Sequence, residues 1–319
     1  MPEKQDREFK PVSKKKSLPS PYQEKGKNTG ILITNLNDKR LLPRIISFLK
    51  KNEPFTINIS RFFLEYPPEK LEKNTAILFL SKRKIKGIIT ISNQGTVNCF
   101  FQKDFCFSLL SPDTNRLWLN EFKGKNICLV MGRKDCVAFL EEKLEQISGK
   151  PVYFFDYYTM KGPEKYRNIK KLPDSGNYRF KSLKNNINDL SEYLPLRTEY
   201  EAEEVMPPGV KQTPEMCRKH LSSILKNQDV VILKNGYTPL STATINAKGF
   251  KYWQIGGVYT VPEHRNKGFG EKVILRQILN ILKNGKKPTL IVKTGNYSAL
   301  KLYEKTGFTQ SGDFRISYY

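Results

Sequence analysis

Apolar residues along this chain fall into short β-branched runs, separated by polar turns and by longer stretches with helical spacing. From Ile31 onward the pattern becomes orderly. Residues 39–51 are amphipathic, with a bend or break expected at Pro43, and 61–66 predict a second short helix ended by Pro67 and Pro68. Segments 75–80, 85–92 and 96–101 alternate or run apolar and read as strands, with Gly87 and Asn93-Gln94-Gly95 as turns. A strand at 127–131, a helix at 134–147 and a strand at 152–158 follow. After a polar stretch the order repeats: a strand at 178–184, helices at 187–200 and 214–227, and strands at 229–234 and 240–247 joined through Asn235-Gly236. A strand at 255–261, a helix at 269–284 and a strand at 289–294 come next. The chain closes with a helix opening near Asn296 and a last strand from Phe308. This pattern predicts an α/β protein of two domains, 30–160 and 178–319, joined by a linker at 161–177 and preceded by a disordered basic tail at 1–29.

The most informative stretch is 256–270, Gly-Gly-Val-Tyr-Thr-Val-Pro-Glu-His-Arg-Asn-Lys-Gly-Phe-Gly. A strand ends at Pro262, which has no N–H for a ladder. The loop Arg265-Asn266-Lys267-Gly268-Phe269-Gly270 then opens an amphipathic run. A glycine-bearing turn at a helix start gathers backbone N–H groups and the positive end of the helix dipole, which suits an anion and best a diphosphate. Gly268 spares an approaching phosphate a Cβ, Gly270 permits close packing, and Arg265 and Lys267 add charge at the rim. An ordinary strand–helix turn has the same outline. Gly256-Gly257 inside a strand fits either a bulge or a merely weakened strand.

A second motif begins about thirty residues on. Asn296 is a good N-cap, Ala299, Leu300 and Tyr303 share a helical face, and Gly307 stands where a helix end favours a left-handed residue. Phe308 starts the next strand. Together the two motifs resemble those of the GNAT N-acetyltransferase superfamily. The first is similar to its proline followed by Arg/Gln-x-x-Gly-x-Gly/Ala before a helix, and the second to its Asn-x-x-Ala-x-x-Leu-Tyr-x-x-x-Gly-Phe. The resemblance spans residues 178–319. Residues 30–160 echo the order of elements but carry neither motif, which suggests a degenerate GNAT-like partner domain.

The resemblance implies a mixed, splayed sheet flanked by helices, with acetyl-CoA as cosubstrate and no metal. Pantetheine is expected against the backbone of Val258, Tyr259, Thr260 and Val261. The diphosphate is expected on Arg265, Asn266, Lys267, Gly268, Phe269 and Gly270, and an arm of the cofactor on Asn296, which serves equally well as a plain N-cap. Tyr303 matches the tyrosine that protonates the departing thiolate, although it also fits as a core aromatic. Its phenol, with a pKa of about 10, keeps its proton at neutral pH. Many relatives place a glutamate base five residues ahead of the Asn, where this chain has Ile291. Glu203 and Glu204 are the alternative acids, at the helix end covering the active-site mouth in such folds; a solvated acidic helix end is the plainer reading.

Composition changes this picture little. With 55 Lys and Arg against 31 Asp and Glu, the net charge is +24, which favours polyanions such as CoA phosphates or nucleic acid. The tail around Lys14-Lys15-Lys16 is the natural place for weak RNA or DNA contact, or a solubilising extension. The five cysteines have no Cys-x-x-Cys spacing, and His220 and His264 suggest neither a metal site nor a triad. No apolar run approaches a membrane span, so a soluble, reduced, cytoplasmic protein is expected. The acceptor is then a small-molecule or peptide amine. A non-catalytic acyl-CoA module and an aminoacyl-tRNA-dependent transferase are the alternative functions.

Overall fold

A computed structural model describes residues 22–23, 29–35, 40–65, 74–165, 178–183, 189–205 and 213–319. Most of the expected tail and linker lie outside these residues, but Tyr22–Gln23 and Thr29, placed in the disordered tail from sequence, are strand, because their backbone finds partners in the sheet edge. In chain order the elements are β1 (Tyr22–Gln23), β2 (Thr29–Asn35), α1 (Leu42–Glu65), β3 (Thr75–Ser81), β4 (Lys84–Ile91), β5 (Thr96–Phe101), α2 (Pro112–Asn120), β6 (Leu129–Arg133), α3 (Lys134–Ser148) and β7 (Tyr153–Lys161). The second half contributes β8 (Tyr178–Leu183), α4 (Leu190–Tyr200), a π-helical turn at Glu201–Val205, α5 (Pro214–Asn227), β9 (Asp229–Asn235), β10 (Thr238–Lys248) and β11 (Tyr252–Thr260). It ends with α6 (Phe269–Lys283), β12 (Lys287–Lys293), α7 (Tyr297–Lys305) and β13 (Thr309–Tyr318).

All the described strands join one 13-stranded sheet in the order β1-β2-β3-β4-β5-β6-β13-β7-β12-β11-β10-β9-β8. Pairing is antiparallel except at β5–β6 and β11–β12. Apart from β1, each half therefore has the same strand sequence, but the final strands are exchanged. β13 of the second half lies against β6, β7 of the first lies against β12, and the two pair with each other from Thr309↔Lys161 to Tyr318↔Tyr153. Hydrophobic periodicity marks where strands lie but not which neighbour they choose, so this exchange is invisible in the pattern.

Two local expectations are corrected. The break at Pro43 and the separate helix at 61–66 give way to one helix, α1, with Pro43 in its first turn, where a missing N–H costs nothing, and Pro54 inside. Helix α2 was not expected. Ser111 caps it, its side chain accepting from the Thr114 N–H at 3.1 Å, and its Trp118 is fully buried beside Phe79 and Phe122.

Two polar clusters fix the halves together. Glu53, in the middle of α1 and wholly buried, accepts the N–H groups of Phe250, Lys251 and Tyr252 at the β10–β11 turn. Arg315 of β13 makes a two-pronged bond to Asp156 of β7 at 2.8 and 3.1 Å and reaches Glu141 of α3 at 3.2 Å.

Candidate active site

The site starts where two parallel strands part. β11 and β12 pair only from Tyr252↔Lys287 to Ile255↔Leu290, although both strands run on. At the same point the β10–β11 register slips, with Gly257 and Val258 facing the single residue Ala243. Gly257 has φ +56°, and a Cβ there would sit 3.1 Å from Thr244 Oγ1 and 3.4 Å from Arg197 Nη1. The double glycine is thus a bulge that bends β11 away from β12 and leaves backbone beyond Ile255 unpaired towards the gap.

The loop after β11 opens onto this gap. Asn266 and Gly268 both have left-handed backbone, φ +62° and +78°, and α6 begins at Phe269. The first N–H groups of that helix have no intrahelical acceptor. A Cβ on Gly268 would meet nothing within 4 Å, so it is the backbone conformation, and not a crowded neighbour, that selects glycine. At Gly270 a Cβ would come within 3.2 Å of Leu302 and 3.4 Å of Thr260 Oγ1, the close packing expected of it. A cavity of about 370 Å³ lies in front, lined by this loop, by Val258, Tyr259 and Thr260, and by Asn296 and Tyr303.

Side chains at the rim are already partnered. Arg265 donates to the Thr260 carbonyl at 3.1 Å and to Glu203 at 2.6 Å, and its guanidinium lies over the Tyr259 ring. Lys267 donates to the Glu263 carbonyl. Tyr259 donates to Glu199; burial first, and that carboxylate second, push its phenol up to about 12. Val261 follows the end of β11, and its N–H bonds the Leu240 carbonyl, so that group is not available to a ligand.

A second cavity of about 200 Å³ continues from the first, and Glu204, Val258, Asn296, Ala299 and Tyr303 line both. Tyr303 is only 8% exposed, and burial pushes its phenol well above the ordinary range. Asn296 caps α7, accepting from the Ala299 N–H at 3.0 Å, and its amide donates to Glu204 at 2.9 Å. Lys293 donates to the Glu204 carbonyl and stands 3.6 Å from its carboxylate. Glu203 and Glu204 therefore part company. The first is tied to Arg265 of the loop after β11, and the second lines both cavities. The π-helical turn that carries them rotates these adjacent residues to different partners; such turns recur at functional sites. Ile291 lines the second cavity, so the β12 position for a glutamate base is apolar.

Sequence reasoning missed Phe155 and Tyr157 of β7 and Tyr318 of β13, which wall the second cavity. It also missed the network beneath the π turn. Glu201 accepts from Arg197 at 2.6 Å and His220 at 2.9 Å. Burial raises the Glu201 carboxyl, but the His220 bond and the Arg197 charge outweigh it and hold the group below its usual range. The charge-rich segment 197–204 was the available signal; the strand exchange had none.

In the first half the gap past the paired ends of β5 and β6 is filled, and a cavity of about 420 Å³ lies elsewhere in that half, lined by Asn58, Arg61, Asn74, Asn98 and Met131 among others. β5–β6 pairing stops at Cys99↔Gly132, and beyond it Phe101, Phe105, Phe107 and Phe139 pack together, with the Phe107 and Phe139 rings stacked 3.8 Å apart. Among the described residues no group of three metal-ligating side chains occurs, and no helix is long and apolar enough to cross a membrane.

Residues 249–316 match the model of a family described as FR47-like proteins. No curated protein matches the sequence. Among solved structures, a Drosophila protein is similar over 91% of this chain and 99% of its own, with 10% identity and a TM-score of 0.62. A tandem GNAT protein from the clavulanic acid biosynthesis pathway aligns over 91% and 98%, with 10% identity and a TM-score of 0.51. The glucosamine N-acetyltransferase region of a fungal GH3 β-N-acetylglucosaminidase aligns over 92% of this chain and 38% of that one, with 9% identity and a TM-score of 0.51. The chain shares its fold with these proteins, and the family match falls within its second half.

Proposed function

We propose that this protein, which has the GNAT fold, is an acetyl-CoA-dependent N-acetyltransferase working in its second half. The observation that carries this reading is the junction of two cavities at Tyr303, one against a helix-start anion loop and the other against aromatic and polar side chains. The groups present fit acetyl-CoA. Open space lies before Gly268, free helical N–H groups suit the diphosphate, and unpaired strand backbone past the Gly257 bulge suits pantetheine.

The chemistry is direct acyl transfer. An amine nitrogen forms a bond to the thioester carbonyl carbon, the C–S bond breaks, and the CoA thiolate takes the Tyr303 proton. Burial keeps the Tyr303 phenol protonated at neutral pH but also makes it a weaker acid, so it yields its proton only to a sulfur whose negative charge builds in the same buried site. Glu204 receives the proton that the amine must lose and passes it to solvent, from which Tyr303 regains the proton it gave to the thiolate. Arg265 meets the diphosphate by exchanging its bond to Glu203, a change that costs little at a half-exposed ion pair.

A second reading, a non-catalytic acyl-CoA module, draws on Ile291 and on the engagement of Glu204 by Lys293 and Asn296. Release of CoA thiol in the presence of amines separates the two. Steady turnover supports the transferase, whereas tight acetyl-CoA binding without turnover supports the module.

A further inference from the structure

The second cavity is built by both halves of the chain. Phe155 and Tyr157, two apart on β7 and therefore on one face, reach it only because β7 lies beside β12, and Tyr318 arrives on the exchanged β13. With Tyr200 and Tyr303 they make a wall of five aromatic rings. The charges are few. Among the described lining residues Glu204 is the only carboxylate and Lys293 the only cation. The Lys293 ammonium rests 4.7 Å from the centre of the Phe155 ring and beside Glu204, an arrangement in which an aromatic face and a carboxylate share one ammonium.

We infer that this cavity is the acceptor site and takes a small primary amine with one positive charge and an aromatic ring, packed on Phe155, Tyr157 and Tyr318 with its nitrogen towards Glu204. This rests on the acetyltransferase reading. A volume of about 200 Å³ is below the usual range of drug-sized pockets and suits one ring with a short tail. A polyamine needs several carboxylates, and Glu204 is the only one among the described residues lining this cavity, Glu203 lining the first. An amino acid needs a cation for its own carboxylate, and Lys293 is engaged by the Glu204 carbonyl, the Glu204 carboxylate and the Phe155 ring. The Lys293 charge beside Glu204 eases the loss of the bound amine's proton to that carboxylate, which the nucleophile requires.

The test is steady-state acetylation of phenethylamine, phenylalanine, spermidine and a lysine-containing peptide at saturating acetyl-CoA, with acetyl-CoA affinity measured separately by calorimetry. Phenethylamine is expected to have the highest kcat/KM. Tyr157→Ala and Tyr318→Ala are expected to raise its KM about tenfold or more, with acetyl-CoA affinity unchanged, and Tyr157→Phe to restore it. Preference for phenylalanine, spermidine or the peptide overturns the inference while leaving the transferase reading intact, as does an unchanged KM in both alanine variants. Absence of acetyl-CoA binding by the intact protein overturns both, and the calorimetry identifies that case.

Discussion

Tyr303 lines both cavities, and removal of its hydroxyl separates chemistry from packing. Tyr303→Phe keeps the ring that meets Phe308 edge-on, so melting temperature and acetyl-CoA affinity are expected to hold. General acid catalysis contributes roughly 10²–10⁴-fold, so kcat is expected to fall by that order while KM for acetyl-CoA stays level. Glu204→Gln is expected to lower kcat most at neutral pH and less as pH rises, because a deprotonated amine no longer needs an acceptor for its proton. A pH–rate series checks both. At the loop, Gly268→Ala is expected to weaken acetyl-CoA binding through the left-handed φ it must adopt, a strain of about 1–2 kcal/mol; calorimetry reads the loss. Gly268, Gly270 and Asn296 were legible at this scale because turns and caps demand particular residue types. The partition of Glu203 from Glu204 was not, since a π turn leaves no mark in hydrophobic spacing.

At the scale of elements, the bulge in β11 and the turn joining it to β10 set the site. Glu53 binds that turn from α1, on the other half of the chain, and its carboxylate is wholly buried. Glu53→Ala leaves three buried N–H groups without an acceptor and is expected to destabilise the fold by about 3 kcal/mol or more, readable as a lower denaturant midpoint. Most strands and the helices at 134–147, 214–227 and 269–284 were visible in the periodicity, since each buries one stripe or face. Pro43 misled because a first-turn proline obeys a different rule from an interior one. Helix α2 hid in a nine-residue stretch with few apolar positions, where tertiary burial of Trp118 decides.

The whole molecule is held by exchange of its last strands, so neither half is a closed unit. A fragment starting at Tyr178 lacks β7 and leaves β12 and β13 without the neighbour that lies between them. Such a fragment is expected to aggregate or to lose its near-native circular dichroism, whereas the two fragments 1–165 and 178–319 expressed together are expected to restore a soluble complex. The sequence suggested two similar halves, correctly in element order, but strand choice between them depends on contacts far apart in the chain. The same exchange brings Tyr157 and Tyr318 to a site whose motifs lie entirely in the second half. The central claim is acetyl transfer at the junction of the two cavities, and the most direct measurement is CoA thiol release by the intact protein with acetyl-CoA and an amine, compared with Tyr303→Phe. The account predicts steady, amine-dependent release that drops at least about a hundredfold in the variant; release that is equal in both proteins, or absent from the intact one despite acetyl-CoA binding, contradicts it.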